Sequence, residues 1–141
     1  MEYDQIIIHT DGGSRGNPGP AAIGVTCNYQ DQNLFEISET IGETTNNVAE
    51  YTAVIKAIQK LKELNIKAKK VLFVLDSQLI VNQLLGKYKI KDAKLKELNT
   101  IVHALKSEFK TQGVSFHIKH VLRGENKIAD SLVNDALDSK K

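Results

Sequence analysis

Val71-Leu-Phe-Val-Leu75, followed at once by Asp76, is the stretch that decides the architecture. An unbroken apolar run, with no polar residues alternating through it, suits a strand covered on both faces, the situation of a central strand in a sheet that carries helices. Its flanks agree. Upstream, from Asn46 to Leu64, the apolar residues Val54, Ala57, Leu61 and Leu64 recur at helical steps. Downstream, Gln78 to Leu85 reads as a short helix ending at Gly86. Asp92 to Lys110 reads as an amphipathic helix through Leu95, Leu98, Val102, Leu105 and Phe109, closed by Gly113.

Toward the N-terminus, Gln5 to Thr10 (QIIIHT) is a buried strand that leads into the Gly/Pro-rich loop Gly12 to Pro20. Ala21 to Tyr29 and Leu34 to Ile41 are strand-like runs joined by the polar turn Gln30 to Asn33, so the three form an antiparallel meander. Toward the C-terminus, Val114 to Val121 alternates Phe116 and Ile118 with polar neighbours as a last strand, and Asn126 to about Leu137 is a final helix. This order predicts an α/β fold, a mixed five-stranded sheet with helices on both faces, because its parallel strands need helical crossovers.

With 141 residues, 41% of them hydrophobic, residues 1–141 are expected to form a single domain. The net charge of +2, with many lysines between Lys56 and Lys119, permits a nucleic-acid partner without demanding one. Cys27 is the sole cysteine, so neither an internal disulfide framework nor a cysteine zinc site can form, and a reducing compartment fits. No apolar run approaches the roughly 20 residues of a bilayer span, and no signal-peptide pattern opens the chain. A soluble, cytoplasmic protein is expected.

Four acids stand in telling places. Asp11 closes the first strand, Glu50 shares the stripe of Val54, Ala57 and Leu61, Asp76 ends the central strand, and Asp130 borders the apolar face of the final helix. Each has an ordinary role open to it: a turn former, a first-turn acid at a helix dipole, an N-cap and a solvated helix acid. Taken together, they can converge at the carboxyl ends of neighbouring strands, where open α/β sheets gather ligands. Clustered carboxylates raise one another's pKa and call for divalent cations, and oxygen-only ligands select hard ions such as Mg²⁺ or Mn²⁺ over zinc.

Four segments, Thr10-Asp-Gly-Gly-Ser-Arg-Gly-Asn-Pro-Gly19, Thr44-Thr-Asn-Asn-Val-Ala-Glu50, Leu75-Asp-Ser-Gln78 and Asn126-Lys-Ile-Ala-Asp130, occur in an order that resembles the type 1 ribonuclease H family over nearly the whole chain. The resemblance implies a sheet of strand order 3-2-1-4-5. It also implies an endonuclease that cuts the RNA strand of RNA/DNA hybrids with two divalent ions held by Asp11, Glu50, Asp76 and Asp130, giving 5′-phosphate and 3′-hydroxyl ends. Mg²⁺ is the expected ion, with Mn²⁺ as an alternative, and a monomer is expected. The competing readings are a non-catalytic nucleic-acid-binding module on the same fold, and a nuclease acting mainly on double-stranded RNA or junctions.

By the same resemblance Asn17, Asn47 and Gln78 reach into the minor groove of the hybrid, and Thr45 meets a DNA phosphate. The backbone at Gly12, Arg15 and Gly16 can approach the RNA strand closely. Helix capping is the competing role of Asn47 and Thr45, a first-turn place that of Gln78, and turn formation that of Asn17. The chain departs from many bacterial relatives in two places. Gly86 to Lys91 (GKYKIK) is brief and lacks tryptophan where those relatives insert a basic protrusion, leaving Lys87, Lys89 and Lys91 as a partial replacement. The loop Leu122 to Glu125 contains no histidine, so Arg123 is the candidate for holding the scissile phosphate or releasing product, and His120 is expected to pack at a strand end.

Overall fold

Pairing of the strands organises the structure, a computed structural model that describes residues 2–139. β1 (Glu2–Ser14), β2 (Gly19–Tyr29) and β3 (Gln32–Thr44) form the meander, and α1 (Asn46–Glu63) crosses to β4 (Lys67–Leu75). Then α2 (Gln78–Leu84) and α3 (Ala93–Lys110) lead to β5 (Ser115–His120), and α4 (Lys127–Ser139) follows a 3-10 turn at Arg123–Glu125. The sheet order is β3-β2-β1-β4-β5, with β4 parallel to β1 and β5 parallel to β4. This is the expected mixed sheet. No helix among the described residues is long and apolar enough to cross a membrane.

The two faces of the sheet are unequal. On one, Ile6 and Ile8 of β1, Ile23 and Val25 of β2 and Phe73 of β4 pack with Val54, Ala57, Ile58 and Leu61 of α1, and Leu95, Leu98 and Val102 of α3 extend the same core. The buried Tyr51 hydroxyl donates to Gln83 Oε1 at 2.8 Å and accepts from Asn99 Nδ2 at 3.3 Å, tying α1, α2 and α3 together inside that apolar mass. On the other face the core is a small cluster of Ala22, Val133, Ala136 and Leu137 under α4.

Strands run longer than expected, β3 to Thr44 rather than Ile41 and β4 from Lys67 rather than Val71. β1 does not close at Thr10 but continues through Asp11 to Ser14, pairing with β2 as far as Ser14↔Ala21. Glycine is required there for contact rather than for a turn. A Cβ on Gly12 would run into the backbone carbonyl of Ala49, so a bare strand residue is what lets α1 lie against β1. Gly24, paired with Asp11 and facing the opposite way, does the same for α4: a Cβ there would collide with the Ala129 carbonyl and come within 2.9 Å of Leu132 Cβ.

These contacts generate a stability test. Gly24→Ala is expected to cost about 1–3 kcal/mol in urea denaturation by overpacking the strand against α4. Gly124→Ala, where an added Cβ meets nothing within 4 Å, is expected to leave the midpoint unchanged. Equal midpoints for the two variants would contradict the close approach of α4.

Candidate active site

Two adjacent strands and two helices deliver the acids. Asp11 lies on β1, Asp76 directly follows β4, Glu50 lies on α1 and Asp130 is in the first turn of α4. One carboxylate oxygen from each of Asp11, Glu50 and Asp76 lies within 4.8 Å of the other two. Asp130 lines the same groove but stands outside that close group.

Glu50 is held inward because its helix stripe faces the sheet and because the Gly12 N–H donates to its Oε1 at 2.5 Å. The same N–H reaches Asp11 Oδ1 at 3.0 Å. Asp11 and Glu50 are each only 6% exposed, and none of the four acids has an ion pair among the described residues. Burial pushes the Asp11 carboxyl up to about 7, opposed by its hydrogen bond with Glu50 and reinforced by the charges of Asp76 and Asp130. Burial also raises Glu50 well above the usual carboxylate range, with the neighbouring charge of Asp11 adding to it. Oxygen-only donors, close-set and without a cationic partner, suit a hard divalent cation, so the residues present fit such an ion.

The groove, about 700 Å³ in volume, is lined by these four acids and by Gly12, Arg15, Asn47 and Arg123 among the residues singled out from sequence. Gly16, Asn17, Thr45 and Gln78 do not line it. Thr45 caps α1 by accepting from the Val48 N–H at 3.2 Å, and Ser77 caps α2 by accepting from the Ile80 N–H at 3.2 Å. Capping therefore falls to Thr45 and Ser77, which leaves Asn47 and Asp76 free of that task. Asn17 Oδ1 accepts from the Asn46 N–H at 3.0 Å, and Gln78 is exposed at the start of α2.

Arg15 is tied to α4 through Asp138 at 2.7 Å and more loosely to Asn134 Oδ1 at 3.5 Å. Arg123 opens the 3-10 turn and enters the groove lining with no ion pair among the described residues. His120 ends β5 as expected but is exposed rather than packed, and it lies outside the lining. Two residues at the site escaped the sequence reading. Asn46 Oδ1 accepts from the Ser14 N–H at 2.9 Å, fastening the end of β1 to α1. Asn126 donates to both Thr10 O and Asp76 Oδ2. Each sits inside a quoted motif, but its partners are remote in sequence, so only the fold reveals its use.

The family model for RNase H matches residues 3–138. A bifunctional protein of Mycobacterium tuberculosis is 39% identical over 137 residues, which cover 96% of this chain and 36% of that protein. A ribonuclease HI of Halobacterium salinarum is 38% identical over 135 residues, 95% of this chain and 65% of that one. The chain thus spans about a third of the mycobacterial relative's length and about two thirds of the archaeal one's. Among solved structures, LC11-RNase H1 from compost, crystallised with an RNA/DNA hybrid, superposes with a TM-score of 0.88 at 44% identity, covering 95% of this chain and 97% of that one. A match running from end to end of the sheet and through the helices that bear all four acids makes this chain a member of the RNase H family.

Proposed function

We propose that this chain hydrolyses phosphodiester bonds in the RNA strand of an RNA/DNA hybrid, leaving 5′-phosphate and 3′-hydroxyl ends. The observation that carries this reading is the meeting of Asp11, Glu50 and Asp76 within 4.8 Å in an open groove that Asp130 also lines. The hybrid bound by LC11-RNase H1 supports the substrate class. The same reading takes residues 1–141 as one domain acting as a monomer in the cytoplasm, and the buried, unpaired Cys27 suits a reducing compartment.

Asp11, Glu50, Asp76 and Asp130 would hold two divalent ions, Mg²⁺ by preference for oxygen ligands, with Mn²⁺ as an alternative. Bound there, such ions supply a polarised water and offset the charge developing on the phosphate and the leaving oxygen. In the reaction a water oxygen bonds to phosphorus, the bond from phosphorus to the 3′ oxygen breaks, and that oxygen takes up a proton. Asn47, three residues before Glu50, lines the same groove, where its amide would donate to and accept from a 2′-hydroxyl. Asn17 keeps its Nδ2 for the RNA sugar while its Oδ1 serves Asn46. Gln78 reads the adjoining sugar from the start of α2, and Thr45 meets a DNA phosphate. Backbone at Gly12, Arg15 and Gly16 follows the RNA strand. Arg123, permanently charged, holds the scissile phosphate or eases product release and does not carry protons.

Labelled RNA/DNA, RNA/RNA and DNA/DNA duplexes incubated with Mg²⁺, Mn²⁺ or EDTA test the reading. Metal-dependent internal cuts in the hybrid's RNA strand are expected, with DNA/DNA intact; dominant cutting of RNA/RNA would favour the double-stranded RNA nuclease, and no cleavage with either ion a non-catalytic binding module. Asp76→Asn is expected to slow turnover at least about a thousandfold, since several kcal/mol of charge stabilisation depend on the cation ligands. Arg123→Ala should lower kcat more than hybrid affinity and His120→Ala less; a large loss confined to His120→Ala reverses the assignment.

Without cations, protons neutralise the cluster. The Asp11 carboxyl is raised in the folded chain to about 7 from an ordinary 3.8, so between those values the folded state binds more protons than the unfolded one. Its contribution to the unfolding free energy then falls as pH rises through that window. In EDTA, the melting temperature of Asp11→Asn relative to the unaltered chain is expected to increase from pH 4 to pH 7. A constant difference across thermal melts would contradict the raised Asp11 carboxyl.

A further inference from the structure

β1 and β4 pair in parallel as far as His9↔Val74, and no rung joins them beyond it. The strands open there into a fork, with Asp11 on one arm and Asp76 on the other. Asn126, 1% exposed, sits between the arms. Its Nδ2 donates to Thr10 O at 2.9 Å and to Asp76 Oδ2 at 3.2 Å. Its carbonyl accepts from the Asp130 N–H at 3.1 Å, so Asp130 stands one helical turn from it.

Asn126 occupies the place of an N-cap to α4, but its side chain does not act as one. A capping asparagine accepts a first-turn N–H through Oδ1. Here Oδ1 has no hydrogen-bond partner, the only buried side-chain nitrogen or oxygen so left among the described residues. The amide cannot be turned over, because the opposite orientation would set Oδ1 against two acceptors. Both hydrogens of Nδ2 are thus spent on the fork, and the helix goes without its cap. A buried acceptor without a donor is unfavourable, which marks the two donated bonds as what the residue is there to make.

We infer that Asn126 is a positioning residue which, by bridging the Thr10 carbonyl and the Asp76 carboxylate at the head of α4, fixes the spacing of Asp11, Asp76 and Asp130 and so governs how tightly the acids bind divalent cations. The inference rests on the proposed reading of those acids as a cation site. A short side chain with two N–H donors meets both acceptors at once. Alanine meets neither, and serine offers one hydrogen at most.

Calorimetric titration with MnCl2 alone, in the absence of nucleic acid, is the direct test, with steady-state cleavage of the hybrid beside it. Asn126→Ala is expected to weaken Mn²⁺ binding at least tenfold and to lower kcat while KM for the hybrid stays within about threefold. Val102→Ala, which opens a cavity in the α3 packing, serves as the control: its melting temperature should fall while Mn²⁺ affinity stays that of the unaltered chain. If Asn126→Ala does not fold, Asn126→Ser is titrated in its place, with weakened binding again expected. Folded Asn126 variants that bind Mn²⁺ and turn over like the unaltered chain, or that lose only melting temperature, would overturn the inference. Failure of the unaltered chain to bind Mn²⁺ would overturn the cation-site reading itself, so the two failures are distinct.

Discussion

Mutual repulsion among buried carboxylates is the constraint around which the rest of the fold is arranged. Asp11 and Glu50 are each 6% exposed, and Asp76 joins them within 4.8 Å. Like charges so placed cannot all ionise without compensation, and left alone they would push β1, β4 and α1 apart. What opposes them is apolar. Ile6 and Ile8 from the strand that bears Asp11, Phe73 and Leu75 from the strand that leads to Asp76, and Val54, Ala57 and Leu61 from the helix that bears Glu50 share one core. Each acid is an extension of an element whose other residues are locked together, so the repulsion is carried by the core as a whole. The Gly12 N–H adds a local hold, meeting both Asp11 and Glu50 from a residue that no side chain separates from α1.

Asp130 is supported differently. Its helix covers the other face of the sheet through the small cluster of Ala22, Val133, Ala136 and Leu137, and gains its closeness from the bare backbone of Gly24. Polar ties reinforce this modest apolar contact: Ser38 Oγ donates to the Leu132 carbonyl at 2.6 Å, and Arg15 reaches Asp138 at 2.7 Å. The exposed ion pair is worth little by itself, but it fastens the loop after β1 to the far end of α4. Three acids therefore stand on the heavily packed layer and its strands, and the fourth on a lightly packed helix whose position is set by a handful of contacts.

The large elements were legible because their signals are periodic. The apolar run Val71 to Leu75 locates the C-terminal half of β4, and the stripe through Val54, Ala57 and Leu61 and the turn chemistry at Gly86 and Gly113 locate α1 and the ends of α2 and α3 within a residue or two. The four acids were legible as a set because each falls at the end of such an element or on its stripe. What stayed hidden depends on partners far along the chain. The strand character of Asp11 to Ser14 comes from pairing with Ala21 to Gly24, which overrides the loop propensity of a glycine-rich stretch. That Thr45 and Ser77 would take the caps, rather than Asn47 and Asp76, depends on a choice of helix start two residues wide at α1 and one at α2. The tethers of Asn46 to Ser14 and of Asn126 to Thr10 span 32 and 116 residues, and no local pattern announces them.

The charge balance of the groove would link the two kinds of ligand proposed for it. Four acids line it against two arginines, and Arg15 is already matched by Asp138 outside the lining, which leaves Arg123 as the lining cation without an ion pair among the described residues. A nucleic-acid backbone brings one further negative charge with each phosphate, so on this groove alone it meets repulsion that strengthens as the site dries. Protons relieve that repulsion at Asp11 and Glu50, whose carboxyls are raised by burial and by one another, but only by disabling the oxygens a cation would need. A divalent cation relieves it while keeping those oxygens in use and presenting positive charge to the incoming phosphate. On the proposed reading a cation and a polyanionic substrate would therefore favour each other's binding, and because such coupling is reciprocal the substrate would draw cations into the site as surely as cations would admit the substrate.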